Sequence, residues 1–106
     1  MINGTYQIIM KTLMGKKYGR LTLYQKENIL SGYIDILGHS NKIQGEILAD
    51  GSCRFSGIFI TPMHRIEFMA EGSIDEKQLE LMINSEKYAM PVLGKIETIS
   101  TKGEES

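Results

Sequence analysis

Hydrophobic and polar residues alternate along most of the chain with a period of two. This alternation is typical of β-strands that have one buried face and one face in water. No segment keeps the three- and four-residue apolar spacing of an amphipathic helix over about ten positions. We therefore predict eight strands, marked by Tyr6-Ile8-Met10, Leu21-Leu23, Leu30-Ile34-Ile36, Ile43-Ile47, Phe55-Phe59, Ile66-Phe68-Ile74, Leu79-Leu81-Ile83 and Val92-Ile96.

Glycines recur on the apolar face of these predicted strands. Glycine weakens a strand, so its repeated use on a buried face indicates strong coiling or close approach of two backbones, as small barrels require. The glycines are mostly one strand and one turn apart, which is typical of a meander. Those that stand two positions before an inward apolar residue are Gly4, Gly19, Gly32, Gly45, Gly57, Gly72 and Gly94.

Turn residues predict the register between strands. Asp50-Gly51-Ser52 fits a three-residue loop that pairs Ala49 with Cys53 and Gly45 with Gly57, because residues directly opposite each other share a face. Residues 38–41, 62–65 and 75–78 fit four-residue loops in the same way.

A flat sheet of eight strands would leave two long edges and an uncovered apolar face, and the sequence predicts no helix to cover it. Closure of the sheet removes both problems. We therefore predict an all-β fold, an eight-stranded antiparallel up-and-down barrel over residues 1–99, with a two-sheet β-sandwich as the alternative. Residues 100–106 are polar and are predicted to form a frayed tail.

Two short motifs resemble the calycin-like barrels, the group that includes lipocalins and streptavidin-type proteins. Gly4-Thr5-Tyr6 opens the first strand where that group commonly has Gly-x-Trp, and Leu30-Ser31-Gly32-Tyr33 is similar to the strand openings of streptavidin-type chains. The resemblance, over roughly residues 3–99, implies a ligand-binding barrel. The chain has no tryptophan, so the aromatic box that such barrels use against biotin has no counterpart.

Composition narrows the classes of function. Twelve basic and thirteen acidic residues give a formal charge of -1. No overall field would therefore hold the chain on a phosphate backbone, and we expect no nucleic-acid partner. No run approaches the ~20 apolar residues of a membrane helix, and the first residues lack the pattern of a secretory signal. We therefore expect a cytoplasmic protein without a membrane partner.

An up-and-down meander places alternate loops at the same end of the barrel, and this sorts the charged residues. The loops around residues 16–17, 39, 63–65 and 86–88 form one end, with four basic residues, one acidic residue and both histidines. We call this the basic end. The loops at residues 26–28, 50–52 and 75–77 form the acidic end, with two basic and four acidic residues. Because loops often carry function, we predict a binding mouth at the basic end.

The candidate ligand site combines this mouth with inward aromatic residues. An apolar or amphipathic ligand with an anionic head would place its head near His64, Arg65 or Lys17. Its tail would lie among Tyr6, Ile8, Phe55, Phe59 and Phe68. The alternative interpretation is that the mouth residues are ordinary solvated turn residues.

The chain offers little for metal binding or catalysis. Two distant histidines and one cysteine, without an acidic partner at ligand spacing, predict no metal site and no cofactor. Cys53 lies on the inward parity and fits a small core filler rather than a nucleophile, so we predict no catalytic residue.

A second hypothesis is a non-enzymatic interaction module. Ile58, Ile60, Met69 and Met82 lie on the outward parity, and together they would form an apolar patch on the barrel wall. Such a patch is typical of a homo-oligomer contact or of an accessory subunit.

Overall fold

The computed structural model describes residues 1–60 and 63–97, which form a closed antiparallel barrel. Each strand pairs with the next along the chain, and β8 pairs with β1. This confirms the all-β up-and-down barrel and excludes the two-sheet sandwich. The predicted tail at residues 100–106 lies outside the described residues. The strands are β1 (Asn3–Thr12), β2 (Gly15–Lys26), β3 (Ile29–Ile36), β4 (His39–Ile47), β5 (Ser52–Ile60), β6 (Arg65–Ile74), β7 (Gln78–Ser85) and β8 (Ala89–Ile96).

The period-two alternation becomes a strict division between the inside and the outside of the barrel. In β3, for example, exposed and buried residues alternate along the whole strand. Apolar side chains from every strand meet in one core cluster, in which Leu21, Leu23 and Leu30 have no exposed surface. Full burial of such a side chain stabilises the fold by about 2 kcal/mol relative to exposure, so the alternating pattern itself drives closure. Within the described residues, no helix is long and apolar enough to cross a bilayer.

The inward glycines lie where the barrel wall has no room for a side chain. A Cβ at Gly32 would clash with the carbonyl oxygen of Thr22 on the neighbouring strand. A Cβ at Gly57 would lie 2.7 Å from Cζ of Phe68. The first glycine therefore permits close approach of two backbones, and the second leaves space for an aromatic ring.

The register predicted for the β4–β5 connection is wrong by two residues. Cys53 pairs with Ile47 rather than with Ala49, and Gly45 pairs with Phe55 rather than with Gly57. The connection therefore spans residues 48–51. Because the shift is an even number of residues, the predicted inward side chains within β4 and β5 still face the core, whereas Ala49 lies in the connection and is exposed.

Hydrogen bonds inside this loop explain the difference. The carboxylate of Asp50 accepts bonds from the backbone N–H and the hydroxyl of Ser52, at 2.9 and 2.6 Å. The backbone N–H of Gly51 donates to the carbonyl of Leu48 at 2.9 Å. The turn therefore closes on Leu48, one residue earlier than the loop predicted from Asp50 alone.

The four-residue loop predicted at residues 38–41 is also wrong. Ile36 pairs with His39, so the β3–β4 connection is the two-residue turn Leu37-Gly38, with φ angles of 57° and 81°. Positive φ at both positions is typical of a type I′ turn, whose twist matches that of the flanking strands. Leucine is not a usual residue for this turn, which is why the pattern did not indicate it.

The other two predicted loops have different outcomes. The loop at residues 75–78 is confirmed, because Ile74 pairs with Leu79 around it. The loop predicted at residues 62–65 lies partly outside the described residues, and Arg65 is the first residue of β6. The connections alternate between the two ends as predicted, with 13–14, 37–38 and 86–88 at the basic end and 27–28, 48–51 and 75–77 at the acidic end. The loop predicted around residues 16–17 is wrong in position, because the turn is at 13–14 and both lysines belong to β2, where they pair with β1.

Candidate ligand-binding site at the basic end

The acidic end of the barrel is paired up to its rim. Backbone hydrogen bonds continue beyond the strands into the turns and join each strand end to the loop beside it. These bonds run from the N–H of Ile47 to the carbonyl of Asn28, from Ile74 to Gly51 and from Ile96 to Lys77, at 2.8–2.9 Å. Backbone hydrogen bonding at these three junctions therefore continues to the end of the sheet.

At the basic end, pairing between neighbouring hairpins stops short of the turns. The β4–β5 ladder ends at Ile43–Gly57, and the β6–β7 ladder ends at Phe68–Ser85. The β5–β6 hairpin continues for three more pairs, which are Ile58–Glu67, Phe59–Ile66 and Ile60–Arg65. In the described part of the chain, this tip has no paired strand on either side. We call residues 58–60 and 65–67 the β5–β6 flap.

The inner face of the flap packs on the core through aromatic contact. Phe59 is 4% exposed, and its ring lies on the ring of Phe68 with centroids 4.3 Å apart and an angle of 21° between the ring planes. A stacked pair of this kind contributes about 0.5–1.5 kcal/mol beyond its buried area. Side-chain packing therefore holds the flap over the mouth, because the flap makes no ladder hydrogen bonds to its neighbours β4 and β7 within the described residues.

A buried polar group lies beside the same seam. Asn41 is in β4 on the inward parity, where it pairs with Ile34. Its amide nitrogen Nδ2 is buried and has no hydrogen-bond partner among the described residues. Continuation of the β4–β5 register would place Asn41 opposite Phe59. An unpartnered buried donor costs about 1–3 kcal/mol, so this nitrogen would gain from an added acceptor oxygen.

A groove follows the unpaired seam along both sides of the flap. Its volume is about 780 Å³. Both inward-facing and outward-facing residues border the groove, so it lies at the edge between the outer wall and the interior of the barrel. The inward members are Asn41, Gly57, Phe68 and Ser85, and the outward members include Lys42, Ile58, Ile60, Glu67, Met69 and Glu86.

The predicted site residues do not all lie at the mouth. Phe59 is on the inner face of the flap and Phe68 lies at its base, whereas Phe55 is buried deeper, paired with Gly45 and Ala70. Tyr6 belongs to the opposite end, where its hydroxyl donates to the carbonyl of Asp75 at 2.6 Å. Burial raises the pKa of Tyr6 to about 12, and the nearby carboxylates of Asp75 and Glu76 act in the same direction.

The predicted cations of the mouth occupy three different positions. His64 is exposed and directly precedes β6, and Arg65 is an exposed residue opposite the outward Ile60. Lys17 is half-buried and pairs with the buried Met10, which places it on the inward parity of β2. Of the three, Arg65 is on the outer side of the wall, and Lys17 is the one that shares a face with the core.

The importance of Asn41 was missed because the sequence placed it in a loop. The tight Leu37-Gly38 turn extends β4 backward, so Asn41 continues the inward series that Ile43 and Ile47 begin. Extending that alternation by one step would have indicated an inward polar residue.

The centre of the barrel is filled by side chains. Ile8 and Phe55 are each 1% exposed, and the space above Gly57 is occupied by the ring of Phe68 and a methyl group of Ile43. A ligand in the middle of the lumen would have to displace core side chains. The mouth beneath the flap is therefore the place where a ligand needs the least rearrangement.

The thiol of Cys53 is buried, and burial raises its pKa to about 11. It therefore stays a neutral thiol at physiological pH. Residues 1–60 and 63–97 contain no group of three or more His, Cys, Asp or Glu side chains that could hold a metal ion.

The predicted outward patch is interrupted by carboxylates. Ile60, Met69 and Met82 are 40–44% exposed, and Ile58 is half-buried. Glu67 lies opposite Ile58, and Glu71, the next outward carboxylate along β6, lies opposite Met82. The patch is thus a set of apolar residues separated by acidic residues rather than one continuous surface.

The fold has counterparts among solved structures. No family model and no curated protein matches the chain. The redesigned β-barrel b11L5F_LGL superimposes with a TM-score of 0.72 at 9% identity, covering 92% of each chain. The redesigned barrel mFAP0, solved bound to DFHBI, has a TM-score of 0.64 at 14% identity and covers 89% of this chain and 97% of its own. The barrel mFAP1, also bound to DFHBI, has a TM-score of 0.63 at 15% identity, with coverages of 92% and 94%. At these identities the likeness shows the fold alone.

Proposed function

We propose that the protein is a calycin-like barrel that binds a small amphipathic molecule at its basic end, with the apolar part against Phe59 and Phe68 beneath the flap. The proposal rests on one observation, the difference between the two ends of the barrel. The acidic end is hydrogen-bonded to its rim, and the basic end is unpaired on both sides of the β5–β6 flap within the described residues.

The packing of the flap would allow a ligand to replace the contact between Phe59 and Phe68 with its own apolar surface. Opening the flap separates Phe59 from Phe68. It breaks no backbone pairing with β4 or β7, because those two ladders end at Gly57 and Phe68. An apolar ligand group placed between the rings would restore the buried contact area that opening removes. The binding energy would therefore come mainly from apolar surface taken out of water.

The polar groups at the mouth favour a ligand head that accepts hydrogen bonds. The amide donor of Asn41 and the half-buried cation of Lys17 both lie on the inward side. The carboxylates of Glu67 and Glu86 border the outer side of the groove, where they would repel an anion that stays outside. A carboxylate, phenolate or carbonyl oxygen directed inward fits this arrangement best.

The similar solved barrels support the general form of the proposal. Both mFAP0 and mFAP1 hold the small dye DFHBI and match this fold over most of its length. A barrel of this size therefore accommodates a small molecule when its side chains leave room.

A two-probe NMR titration tests the proposal. Decanoate and decyltrimethylammonium carry the same apolar chain with opposite head charges. We expect saturable shifts of the backbone amides of residues 41, 57–59 and 66–68, with tighter binding of decanoate. Shifts centred on the acidic end around Tyr6, or no saturable binding of either probe, would overturn the proposal.

A pair of matched variants adds a test of the head group. Asn41→Leu removes the amide donor while keeping a similar volume, and should weaken decanoate binding about tenfold or more, the loss of one hydrogen bond to a charged group. Asn3→Leu makes the same chemical change at an exposed position of β1 near the acidic end and should leave binding unchanged. Equal effects of the two substitutions would contradict the assigned role of Asn41.

The interaction module is the second candidate function. The exposed Ile60, Met69 and Met82 support it, although acidic residues interrupt the patch. Sedimentation at increasing protein concentration tests it. A strict monomer at high concentration would remove its support, and a homo-oligomer abolished by Met69→Glu would establish it.

A further inference from the structure

The connections at the basic end present large apolar side chains to water. Leu13 and Met14 in the β1–β2 turn are each 85% exposed, and Met63 beside the flap is 82% exposed. Leu37 in the β3–β4 turn and Tyr88 in the β7–β8 turn are 46% and 49% exposed. Every connection at this end thus carries at least one such residue within the described part of the chain.

Turn geometry does not explain this choice of residues. Leu37 has a φ of 57°, a conformation that is costly for leucine and ordinary for asparagine or glycine. Leu13 and Met14 lie in a turn where polar residues would serve equally well. Exposed apolar side chains at the tips of adjacent loops are typical of a surface that meets another apolar phase.

Basic residues surround these apolar tips. Lys16 and Lys87 are exposed next to the turns that hold Leu13, Met14 and Tyr88. Residues 16–17, 39, 63–65 and 86–88, which lie in or beside the connections of this end, contain four basic residues and one acidic residue, whereas residues 26–28, 50–52 and 75–77 at the opposite end contain two basic and four acidic residues. The small formal charge of the chain therefore conceals a strong difference in charge along the barrel axis.

We propose that the basic end docks on an anionic lipid surface, with Leu13, Met14 and Met63 entering the interfacial layer and the lysines contacting the head groups. Apolar side chains flanked by lysine and arginine are the combination that binds peripheral proteins to anionic bilayers. The expectation of no membrane partner was based on the lack of a spanning segment, and a surface contact needs none. This inference does not depend on ligand binding in the barrel.

Other occupants of this surface fit less well. Two copies meeting symmetrically would place two basic ends against each other, and head-to-tail contact of the basic and acidic ends would not close. A nucleic acid would use the lysines and leave the apolar tips exposed. Anionic lipid uses both features.

Co-sedimentation with vesicles tests the proposal. The wild-type chain is mixed with phosphatidylcholine vesicles and with vesicles that also contain about 30 mol % phosphatidylserine. We expect at least tenfold stronger binding to the anionic vesicles, declining as salt is raised because the charges are screened. No binding to either vesicle, or equal binding to both, would overturn the proposal, and the apolar tips would then belong to a protein interface.

Substitutions at the two ends of the barrel provide matched controls. Leu13→Ser with Met14→Ser, and separately Lys16→Glu with Lys87→Glu, should each lower binding to anionic vesicles at least tenfold while circular dichroism shows an intact fold. Leu48→Ser removes an apolar side chain that is 58% exposed at the acidic end, and Lys26→Glu with Lys77→Glu reverses charges there. These control variants should bind as the wild type does. If they lose binding to the same extent, the surface is not at the basic end.

Discussion

The ring of Phe59 lies on the ring of Phe68, 4.3 Å between centroids, beneath a hairpin tip that has no paired strand on either side among the described residues. The two residues are on adjacent strands, one on the flap and one at its base. Separation of these rings is therefore the main packing change that opens the mouth, and the stability of the flap depends on this contact more than on the sheet.

Phe59→Ala should loosen the flap without unfolding the barrel. Hydrogen exchange of the amides of residues 58–60 and 65–67 should become about tenfold faster, because the lost stacking and part of the lost burial are worth more than about 1 kcal/mol of local opening. Amides in the middle of β1 and β2 should keep the protection expected from global stability. Exchange measured by NMR at neutral pH distinguishes the two groups.

Phe55→Ala is the matched control for this change. Phe55 is 1% exposed in the centre of the barrel. Its loss should therefore destabilise the whole fold by about 3–5 kcal/mol and accelerate exchange in all strands. If Phe59→Ala also accelerates exchange uniformly, the flap is part of the cooperative core and does not open by itself.

Asn41→Leu should increase the stability of the protein while it weakens ligand binding. The substitution removes a buried donor that has no partner among the described residues. We expect the free energy of unfolding to rise by about 1–2 kcal/mol. Urea denaturation measures this change. A loss of stability would mean that the amide is satisfied by an ordered water, and the argument for a ligand oxygen at this position would fail.

The alternation of residues was enough to predict most of the fold. Each predicted strand exists, because a period of two places one apolar face inward wherever the turns fall. The inward glycines predicted the coiling correctly, since residues such as Gly32 lie where backbones touch. The errors at Ala49 and at residues 38–41 arose because loop hydrogen bonds and the unusual turn at Leu37 set the register.

The candidate site was less accessible to sequence reasoning. Phe59 and Phe68 were placed together correctly on the inward face, but nothing in their spacing showed where pairing between hairpins would stop. Tyr6 was assigned to the same pocket because inward parity does not reveal depth along the barrel axis. The stagger of the strands separates Tyr6 from the mouth, and this stagger is a property of the closed sheet.

The stability of the fold should fall at high pH because of Tyr6. Its pKa is raised from 10.0 to about 12 in the folded state, so the neutral form is favoured by folding. The contribution of Tyr6 to the free energy of unfolding is complete below its pKa in the unfolded state. It is lost as the pH rises through its pKa in the folded state, a change of about 2–3 kcal/mol. Denaturant unfolding at a series of alkaline pH values that spans both pKa values measures it.

Tyr6→Phe separates this effect from other groups that titrate in the same range. The variant loses the hydrogen bond to the carbonyl of Asp75, so at neutral pH it should be about 1 kcal/mol less stable. Between the two pKa values its stability should fall less steeply than that of the wild type. Cys53→Ala in both proteins removes the thiol, whose raised pKa of about 11 adds a similar dependence. Parallel curves for the wild type and the Tyr6→Phe variant would contradict the assignment.

The two non-glycine residues with positive φ in the described part of the chain provide a test of whether strain at the basic end serves binding. Leu37 and Glu27 each have a φ of 57° in turns at opposite ends of the barrel. Asparagine adopts this conformation more readily, so Leu37→Asn and Glu27→Asn should each stabilise the fold by about 0.5–1 kcal/mol. Only Leu37→Asn removes an apolar tip of the proposed lipid surface, and it should therefore lower vesicle binding while Glu27→Asn leaves binding unchanged. A gain in stability at Leu37 with full vesicle binding would show that the leucine is strained without contributing to lipid contact.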